Sequence, residues 1–577
     1  MKKLSLEQRA IVGAPLMPMA VIACAGSGKT GTAVHRVVEM RRQLGEQRGR
    51  VALLSFSNVA VETFRKAYQH LAHTLPTGVD RSRVDIDTLD GFITSHLLRP
   101  HAYRTMGAVQ SAYLVTGNEP FLNGFTYWTG EYPLAVTKIK VGFHEGAAFF
   151  YYDVHGTAQL LDTATVVKLV TRLGRTGAYT HDLGRYWAYR ILQEQPAIRK
   201  ALALRYPHIL VDESQDIGTA HQAVLELLID AGVQVSLIGD PNQGIYEFAG
   251  ADGTFLDKYH AREGVATYAL TRNYRSLPPI LNLANRLSGR DDSAHREPDD
   301  AVGGAYFIGY TKAEISLLVD TFHAEVLNLR LRPQDCAILC RGRSQVEALA
   351  GVGPPAGRGV IKVFSSAAVD RDKHRNFRAA FKRVASGIVA LLENPSDGLL
   401  SKLSQPSQYP EVKGLHRLLW AFTRNADTGL PSTELVATTH WHPLLVERIK
   451  ALLVKLQLEF GLAAVNNVGR KLAKTGLPDA PLVKLDDLAA ERGMRIRVDT
   501  VHQVKGESID AVLYVATKEH ATAMLNGVGT ELGRIGYVAV TRAKNLAWVG
   551  VPASALRELR PALLAAGLRE VGVVDPP

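Results

Sequence analysis

Short apolar runs typical of buried strands alternate along this chain with longer segments whose apolar residues recur at helical spacing. The strand-like runs lie at residues 20–22, 208–211, 305–309 and 336–340. The helix-like segments include 280–287, 377–392 and 443–460. This pattern predicts an α/β fold with parallel sheets that is interrupted by helical insertions.

The first strand-like run leads directly into A-C-A-G-S-G-K-T at residues 23–30, where a helix is predicted to begin. A strand, a glycine loop and a helix are the layout of a nucleotide phosphate loop, whose backbone N–H groups wrap the phosphates. Lys29 would reach the β/γ oxygens, and the Thr30 hydroxyl would hold Mg²⁺. The residues expected to line the phosphates are Ala25, Gly26, Ser27 and Gly28. Taken alone, the segment is also compatible with an ordinary glycine turn.

A second candidate segment follows the run at 208–211, where the sequence continues as D-E-S-Q-D over residues 212–216. Carboxylates at the carboxyl end of a strand stand where α/β sheets place their ligands. We expect Asp212 to hold the Mg²⁺ through water and Glu213 to polarise the water that attacks the γ-phosphate. Such a cluster is otherwise a solvated turn or a helix cap, but the independent phosphate loop favours the catalytic interpretation.

The ordered set of motifs resembles superfamily 1A DNA helicases of the UvrD/Rep kind. The further matching segments are L-S-L-E-Q at 4–8, L-S-F-S-N at 54–58, T-L-D-G-F at 88–92, G-D-P-N-Q-G-I-Y-E-F at 239–248, L-T-R-N-Y-R-S at 270–276, V-D-T-V-H-Q-V-K-G-E at 498–507 and Y-V-A-V-T-R-A-K at 537–544. They run from near the first residue to near the last, so the resemblance extends over the whole chain.

The resemblance implies an ATP site with Mg²⁺ between two motor domains. Gln8 would read the adenine edge, and Tyr274 would stack on the adenine with Arg36 beneath it. Gln243 would sense the γ-phosphate, and Glu507 would approach the ribose hydroxyl.

Two arginines, Arg275 and Arg542, would arrive from the second motor domain to neutralise charge on the transferring phosphoryl group. Each of them, taken singly, is equally compatible with a surface ion pair.

The resemblance also implies contacts with single-stranded DNA from Phe56, Asn58, Tyr246, Phe248 and His502. Phe248 would be the base-stacking platform, because single-strand binders combine aromatic faces with a basic groove. For the three aromatic residues, packing in the core is the alternative that residue type alone favours.

The chain departs from the family's pattern at several positions. Cys24 stands at a usual glycine, Asp90 at a usual histidine and Ala249 at a usual arginine. K-G-E-S at 505–508 replaces the usual K-G-L-E, which places Glu507 one position early.

The spacing of the motifs suggests two RecA-like P-loop motor domains, each with a parallel sheet, and two mainly helical inserted subdomains. The expected boundaries are 1–95 with 200–275 for motor domain 1A, 96–199 for subdomain 1B, 276–365 with 490–577 for motor domain 2A, and 366–489 for a short 2B-like subdomain.

The composition agrees with a globular protein that binds nucleic acid. Of 577 residues, 46% are hydrophobic and 21% charged, and the net charge of +11 favours a polyanionic partner. Cys24, Cys336 and Cys340 are too few for a disulfide framework, which fits a reducing cytoplasm. We interpret the last two as buried core thiols. No apolar run is long enough to span a bilayer, so no membrane partner is expected.

The sequence therefore predicts an ATP-driven motor that moves on single-stranded DNA and separates strands at duplex junctions, and the resemblance implies the 3′ to 5′ direction. The expected setting is DNA repair, recombination or defence, with a protein partner in such a complex left open. An alternative is an ATPase subunit of a larger assembly, such as a phage-defence system, that does not unwind by itself. A small-molecule kinase on the same phosphate loop is a third, remote hypothesis, which Arg275 and Arg542 disfavour.

Overall fold

Two six-stranded sheets, in each of which all paired strands run parallel, form the framework of the chain. The computed structural model describes residues 4–115, 117, 119–154, 157–246, 250, 253–298, 303–311, 313–342, 345–346, 349, 356–396, 398–406, 409–483 and 496–572. Mixed α/β architecture with parallel sheets is the predicted fold class, and it is confirmed at this level.

The first sheet has the spatial order Ala266–Leu270, Met19–Ala23, Gln234–Gly239, His208–Asp212, Val51–Ser55, Val84–Thr88. Successive side chains of a strand point to opposite faces, and the four central strands of this sheet are buried on both faces. Leu53 and Leu210 lie in one apolar cluster, whereas Leu54 and Val211 lie in another on the opposite face. Burial on both faces explains why these strands read as continuous apolar runs.

Helices cover the two faces of this sheet. They are Leu6–Val12, Lys29–Leu44, Asn58–Ala72, Leu89–Ile93, Thr219–Asp230 and Thr254–His260. The strand order places the ends of Met19–Ala23, His208–Asp212 and Gln234–Gly239 side by side, with Asp212 opposite Ile238 and Ile22 opposite Gly239. The phosphate loop, the acidic cluster and the segment after Gly239 therefore start from one edge of the sheet.

The segment between the first-sheet strands Val84–Thr88 and His208–Asp212 contains both helices and strands. This corrects the prediction of a mainly helical insertion at 96–199. Its helices are a π-helix at Thr94–Leu98 and α-helices at Arg99–Thr105, Thr163–Arg175, His181–Glu194 and Pro196–Arg205. Its strands are Tyr113–Leu114, Thr126–Trp128, Pro133–Ala135, Lys140–His144, Ala147–Val154, Thr157–Leu160 and Ala178–Tyr179. The aromatic residues at 149–152 account for much of this difference, because such side chains favour strands.

The second sheet has the spatial order Arg497–Thr500, Ala337–Cys340, Ile509–Val515, Ala543–Pro552, Ala305–Tyr310, Arg569–Glu570. Its helices are Pro278–Ser288, Ile315–Asn328, Lys518–Leu525, Glu531–Thr541 and Ala553–Ala565. A separate two-stranded ladder pairs Arg272–Asn273 with Ser293–Ala294. Cys336 and Cys340 are buried and free, which confirms their interpretation as core thiols.

A helical segment with its own apolar core lies between the second-sheet strands Ala337–Cys340 and Arg497–Thr500. Its helices are Gly359–Asp372, Phe377–Val389, Leu399–Ser404, Lys413–Arg424, His442–Phe460 and Val468–Lys471. The fully buried Trp441 lies in that core and donates a hydrogen bond from Nε1 to the Pro431 carbonyl at 3.2 Å. Among all the helices described here, none combines the length and the apolar character that a membrane crossing requires.

We predict that Trp441→Ala lowers the free energy of unfolding by about 3–5 kcal/mol, because truncating a buried tryptophan leaves a cavity. Urea unfolding followed by circular dichroism measures the effect. Trp128→Ala is the matched control, since the side chain of Trp128 is 63% exposed. Equal losses in the two variants would contradict the placement of Trp441 in a core.

Candidate active site

The phosphate loop turns sharply between the strand Met19–Ala23 and the helix Lys29–Leu44. Gly26 and Gly28 have φ angles of +71° and +82°, which residues with a side chain rarely adopt. A Cβ atom on Gly26 would lie 2.6 Å from the Cβ of Arg275. Glycine is therefore required by both backbone angle and space, and the buried Lys29 begins the helix at the loop's end.

Side chains from two other segments hold this loop in place. Gln8 donates from Nε2 to the Ser27 carbonyl at 3.1 Å, while its Oε1 accepts from the backbone N–H of Ser5 at 3.0 Å. On the other side, Asn273 donates to the Ala25 carbonyl at 2.7 Å. Gln8 thus lies beside the phosphate loop, and both ends of its amide have partners within the protein.

The acidic cluster lies at the adjoining strand end, where Asp212 is buried and its Oδ1 has no hydrogen-bond partner. Burial, aided by the charge of Glu213, raises the pKa of Asp212 to about 8. Burial also acts on Glu213, but the charges of Lys29 and Lys505 outweigh it and lower its pKa. Glu213 has a φ of +55° and accepts a 2.6 Å hydrogen bond from Gln215.

This donor set fits a magnesium ion. Mg²⁺ prefers oxygen ligands, and a buried carboxylate oxygen without a hydrogen-bond partner, beside a second carboxylate, offers one. Mg²⁺ bound to a nucleotide needs only one or two protein ligands besides phosphates and water. Asp212 and Thr30 are the residues that would hold it. Within the described residues, no group of three or more His, Cys, Asp or Glu forms a metal site of its own.

Gln243 joins the two sheets through its side chain. Its Nε2 donates to Asp240 Oδ2 at 2.7 Å, and its Oε1 accepts from Arg542 Nη2 at 2.8 Å. Asp240 and Gln243 follow the strand Gln234–Gly239 of the first sheet, whereas Arg542 follows the helix Glu531–Thr541 of the second. All three side chains are buried.

Arg275 approaches the same region beside the phosphate loop and donates from Nη1 to the Thr541 carbonyl at 2.9 Å. Burial, together with the charge of Arg542, lowers the pKa of Arg275 to about 9. Two guanidinium groups that disfavour each other's charge are stabilised by an anion between them. The structure therefore brings both predicted arginines to the edge of the first sheet that carries the phosphate loop. Arg275 does so from the segment after the first sheet's strand Ala266–Leu270, which corrects the expectation that both come from the second motor domain, whereas Arg542 comes from the second sheet's side.

Arg36 has its hydrogen-bond partners within the protein. Its guanidinium is fully buried and donates to the backbone carbonyls of Val12, Ala14 and Pro15. These bonds fix the turn after the first helix. Three backbone carbonyls therefore take up donors of the Arg36 guanidinium within the protein, and its placement beneath an adenine ring stays a prediction.

Two other predicted nucleotide contacts have partners within the protein. The ring of Tyr274 lies 4.8 Å from that of His295, centroid to centroid, and the Tyr274 N–H donates to the Gly26 carbonyl at 2.9 Å. The carboxylate of Glu507 pairs with Arg497. Tyr274 thus lies next to the phosphate loop, whereas Glu507 stands nearer the second sheet's edge strand.

The residues predicted to contact single-stranded DNA are spread over both sheets. Phe56 is half-buried with its ring 5.5 Å from that of His221, and Asn58 is exposed at the start of the next helix. Tyr246 and His502 have ring centroids 5.7 Å apart. Phe248 lies outside the described residues.

Several residues of the site were not singled out from the sequence. Asp240, Asn273 and Lys505 all fall within segments quoted for the resemblance, only a few residues from those that were. Lys505 pairs with Asp216 and donates to the Gln243 carbonyl at 2.7 Å. A polar residue inside a matched segment was the only available signal, and it does not reveal a partner that is distant in sequence.

Comparisons with known proteins agree with this geometry. Residues 4–126 and 150–262 match the family model described as the UvrD/REP helicase N-terminal domain. DNA helicase II of Haemophilus influenzae is 25% identical over 59% of this chain and 48% of its own length. ATP-dependent DNA helicase UvrD1 of Mycobacterium leprae is 25% identical over 69% of this chain and 53% of its own. UvrD2 of Mycobacterium tuberculosis is 26% identical over 49% and 42%.

The chain spans about half the length of the curated relatives it matches. The family-model match covers the residues that carry the phosphate loop, the acidic cluster and Gln243. Over these residues the chain is similar to UvrD/REP helicases, in agreement with the resemblance of its ordered motifs.

Proposed function

We propose that this chain is an ATP-driven motor that moves along single-stranded DNA and separates duplexes. The observation that carries the proposal is the Asp240–Gln243–Arg542 chain, which joins the edge that bears the phosphate loop to the second sheet. A site shared between two sheets can change their separation when its ligand changes. The names of the relatives, DNA helicase II and ATP-dependent DNA helicase, support DNA as the track.

In this proposal each sheet with its helices is one motor domain. The first would comprise residues 1–95 and 200–275, and the second 276–365 and 490–577. The segments 96–199 and 366–489 would be insertions. The contacts of Arg275 with Thr541 and of Arg542 with Gln243 support ATP at the boundary between the two motors.

The chemistry would be phosphoryl transfer from ATP to water. Lys29 would neutralise the β/γ oxygens, and Glu213, with its lowered pKa, is ionised and able to orient the attacking water. Arg275 and Arg542 would stabilise the charge that spreads over the transferring group. Mg²⁺ held by Thr30 and Asp212 would supply further charge neutralisation.

Coupling to DNA would pass through the segment after Gln243. Ile245 is fully buried in the apolar core of the second sheet, only two residues beyond Gln243. Tyr246 follows at once, beside His502. Movement of the second sheet would therefore shift Tyr246 and Gln243 together. Phe56 and Asn58, which belong to the first sheet's side, would contact the same single-stranded DNA.

The test of the whole proposal is an unwinding assay on duplexes with a 3′ or a 5′ single-stranded tail. We expect DNA-stimulated ATP hydrolysis and unwinding of the 3′-tailed duplex, with the 5′-tailed duplex a poor substrate. Stimulated hydrolysis without unwinding of either duplex would instead support the alternative of an ATPase subunit that needs a partner. Equal unwinding of both would contradict the 3′ to 5′ direction.

Lys29→Ala should abolish ATP turnover, because it removes the only charged side chain of the 23–30 loop. Glu213→Gln should keep ATP bound but stop hydrolysis, since an amide cannot activate water. Steady-state hydrolysis with single-stranded DNA present, together with a nucleotide-binding titration, measures both effects. Glu226→Gln is the matched control, because Glu226 pairs with Arg262 on the outer surface. Turnover like that of the unmodified chain in either variant would refute the site.

Arg275→Ala and Arg542→Ala should each lower kcat by about 10²–10³-fold while changing ATP affinity much less, since the guanidinium charge matters most in the transition state. Arg560→Ala, which removes a guanidinium paired with Glu570 at the surface, should behave like the unmodified chain. If the two site variants lost nucleotide binding while their bound fraction turned over normally, the transition-state role would be wrong.

A further inference from the structure

Lys505 lies between the candidate ATP site and the residues predicted to contact single-stranded DNA. Its Nζ forms an ion pair with Asp216 Oδ1 at 2.5 Å and donates to the Gln243 carbonyl at 2.7 Å. The same ammonium lies 4.7 Å from the ring centroid of Tyr246. The side chains of Lys505 and Asp216 are only 7% and 5% exposed. One cation therefore contacts three separate functional segments.

These partners match what an ammonium group can bind. Lysine offers three N–H donors and no acceptor, and here a carboxylate, a carbonyl and an aromatic face surround it. A cation removed from water is costly unless its surroundings compensate for the lost hydration. Displacement of any one partner is consequently felt by the other two, because Lys505 has little access to water as a replacement.

Each partner belongs to a segment with its own role. Asp216 ends the short 3₁₀ turn that follows Glu213, and Gln243 ends a second 3₁₀ turn beside Arg542. Tyr246 is one of the residues predicted to contact DNA. It lies next to His502, which belongs to the same loop as Lys505. Lys505 comes from the loop that follows the strand Arg497–Thr500 of the second sheet.

A second contact from the same loop reinforces the link. His502 Nε2 lies 3.1 Å from the Ile245 carbonyl. The backbone between Gln243 and Tyr246 is therefore held by Lys505 at one end and by His502 in the middle. A shift of this loop relative to the first sheet must move the acidic turn, the Gln243 carbonyl or both.

We propose that Lys505 is a positioning residue that transmits occupation of the DNA-contacting side to the hydrolytic carboxylates. The inference rests on the proposed function. A strand that displaces Tyr246 would re-orient the ammonium, which in turn repositions the turn that carries Glu213 and the backbone of Gln243. Lys505 touches neither nucleotide nor DNA in this scheme, and its effect is on the ratio of DNA-stimulated to basal ATP turnover.

The test is Lys505→Met, which keeps an unbranched side chain one atom shorter than lysine and removes its charge. We expect the stimulation of ATP hydrolysis by a thymidine oligonucleotide to fall at least about fivefold, the lower end of usual coupling between sites. ATP affinity should change less than the stimulation ratio. Lys518→Met is the matched control, because it removes an exposed ion pair, with Glu558, from the same sheet's helices.

A merely structural role would lower the amount of folded protein and leave the stimulation ratio unchanged. Where Lys505→Met is destabilised by the unpaired Asp216, the double variant Lys505→Met/Asp216→Asn removes both charges, and it should still lack stimulation. A normal ratio in either variant overturns the relay. Equal loss of basal and stimulated rates also overturns it, in favour of a role in the chemistry alone. If the unmodified chain itself shows no stimulation, the proposed function fails, and the relay fails with it.

Discussion

The hydrogen bond from Arg542 to the side chain of Gln243 is the interaction on which the site's arrangement depends. It joins a residue beyond the second sheet's helix to a residue beyond a strand of the first, and both are buried. Arg275 adds a parallel link through the Thr541 carbonyl. Without the first of these links, the Arg542 guanidinium of the second sheet would not be held against Gln243.

The contacts that join the two sheets around this point are largely polar. Lys505 forms an ion pair with Asp216, and Arg534 donates to the Gly244 carbonyl. Hydrogen bonds and ion pairs can be exchanged for contacts with water or ligand at small net cost, whereas a shared apolar core cannot. Ile245 and Tyr246 add apolar contacts, which attach one short segment that follows a first-sheet strand to the second core. Such a boundary suits two bodies whose separation varies while one segment stays attached to both.

The sequence was sufficient for those features whose signal is local. The strands at 208–212 and 19–23 were predicted from continuous apolar runs, and the loop between Ala23 and Lys29 from its glycines. Lys505 was missed because its partner Asp216 lies 289 positions earlier, so no window along the chain contains both. The partners of Arg36 could not be predicted from the sequence for the same reason, because the carbonyls of Val12, Ala14 and Pro15 that accept its hydrogen bonds lie more than 20 positions earlier. Within 96–199 the aromatic run at 149–152 predicted a strand, which the structure has at Ala147–Val154, whereas strands of two or three residues such as Tyr113–Leu114 and Thr126–Trp128 are too short to show a pattern.

The departure at Asp90 illustrates how a replaced motif residue is accommodated physically. Its carboxylate accepts from Arg185 at 3.0 and 2.8 Å and lies 2.8 Å from His221 Nε2. Burial works against the carboxylate, but these partners outweigh it and hold its pKa well below the usual range. Arg185 comes from the 96–199 segment, and His221 packs edge-on against Phe56. A negative charge at this position is therefore neutralised within the protein, and it ties the inserted segment to a residue expected to contact DNA. A histidine there could not offer two carboxylate oxygens to Arg185 and His221, so Asp90 and the contacts around it form one hydrogen-bonded unit.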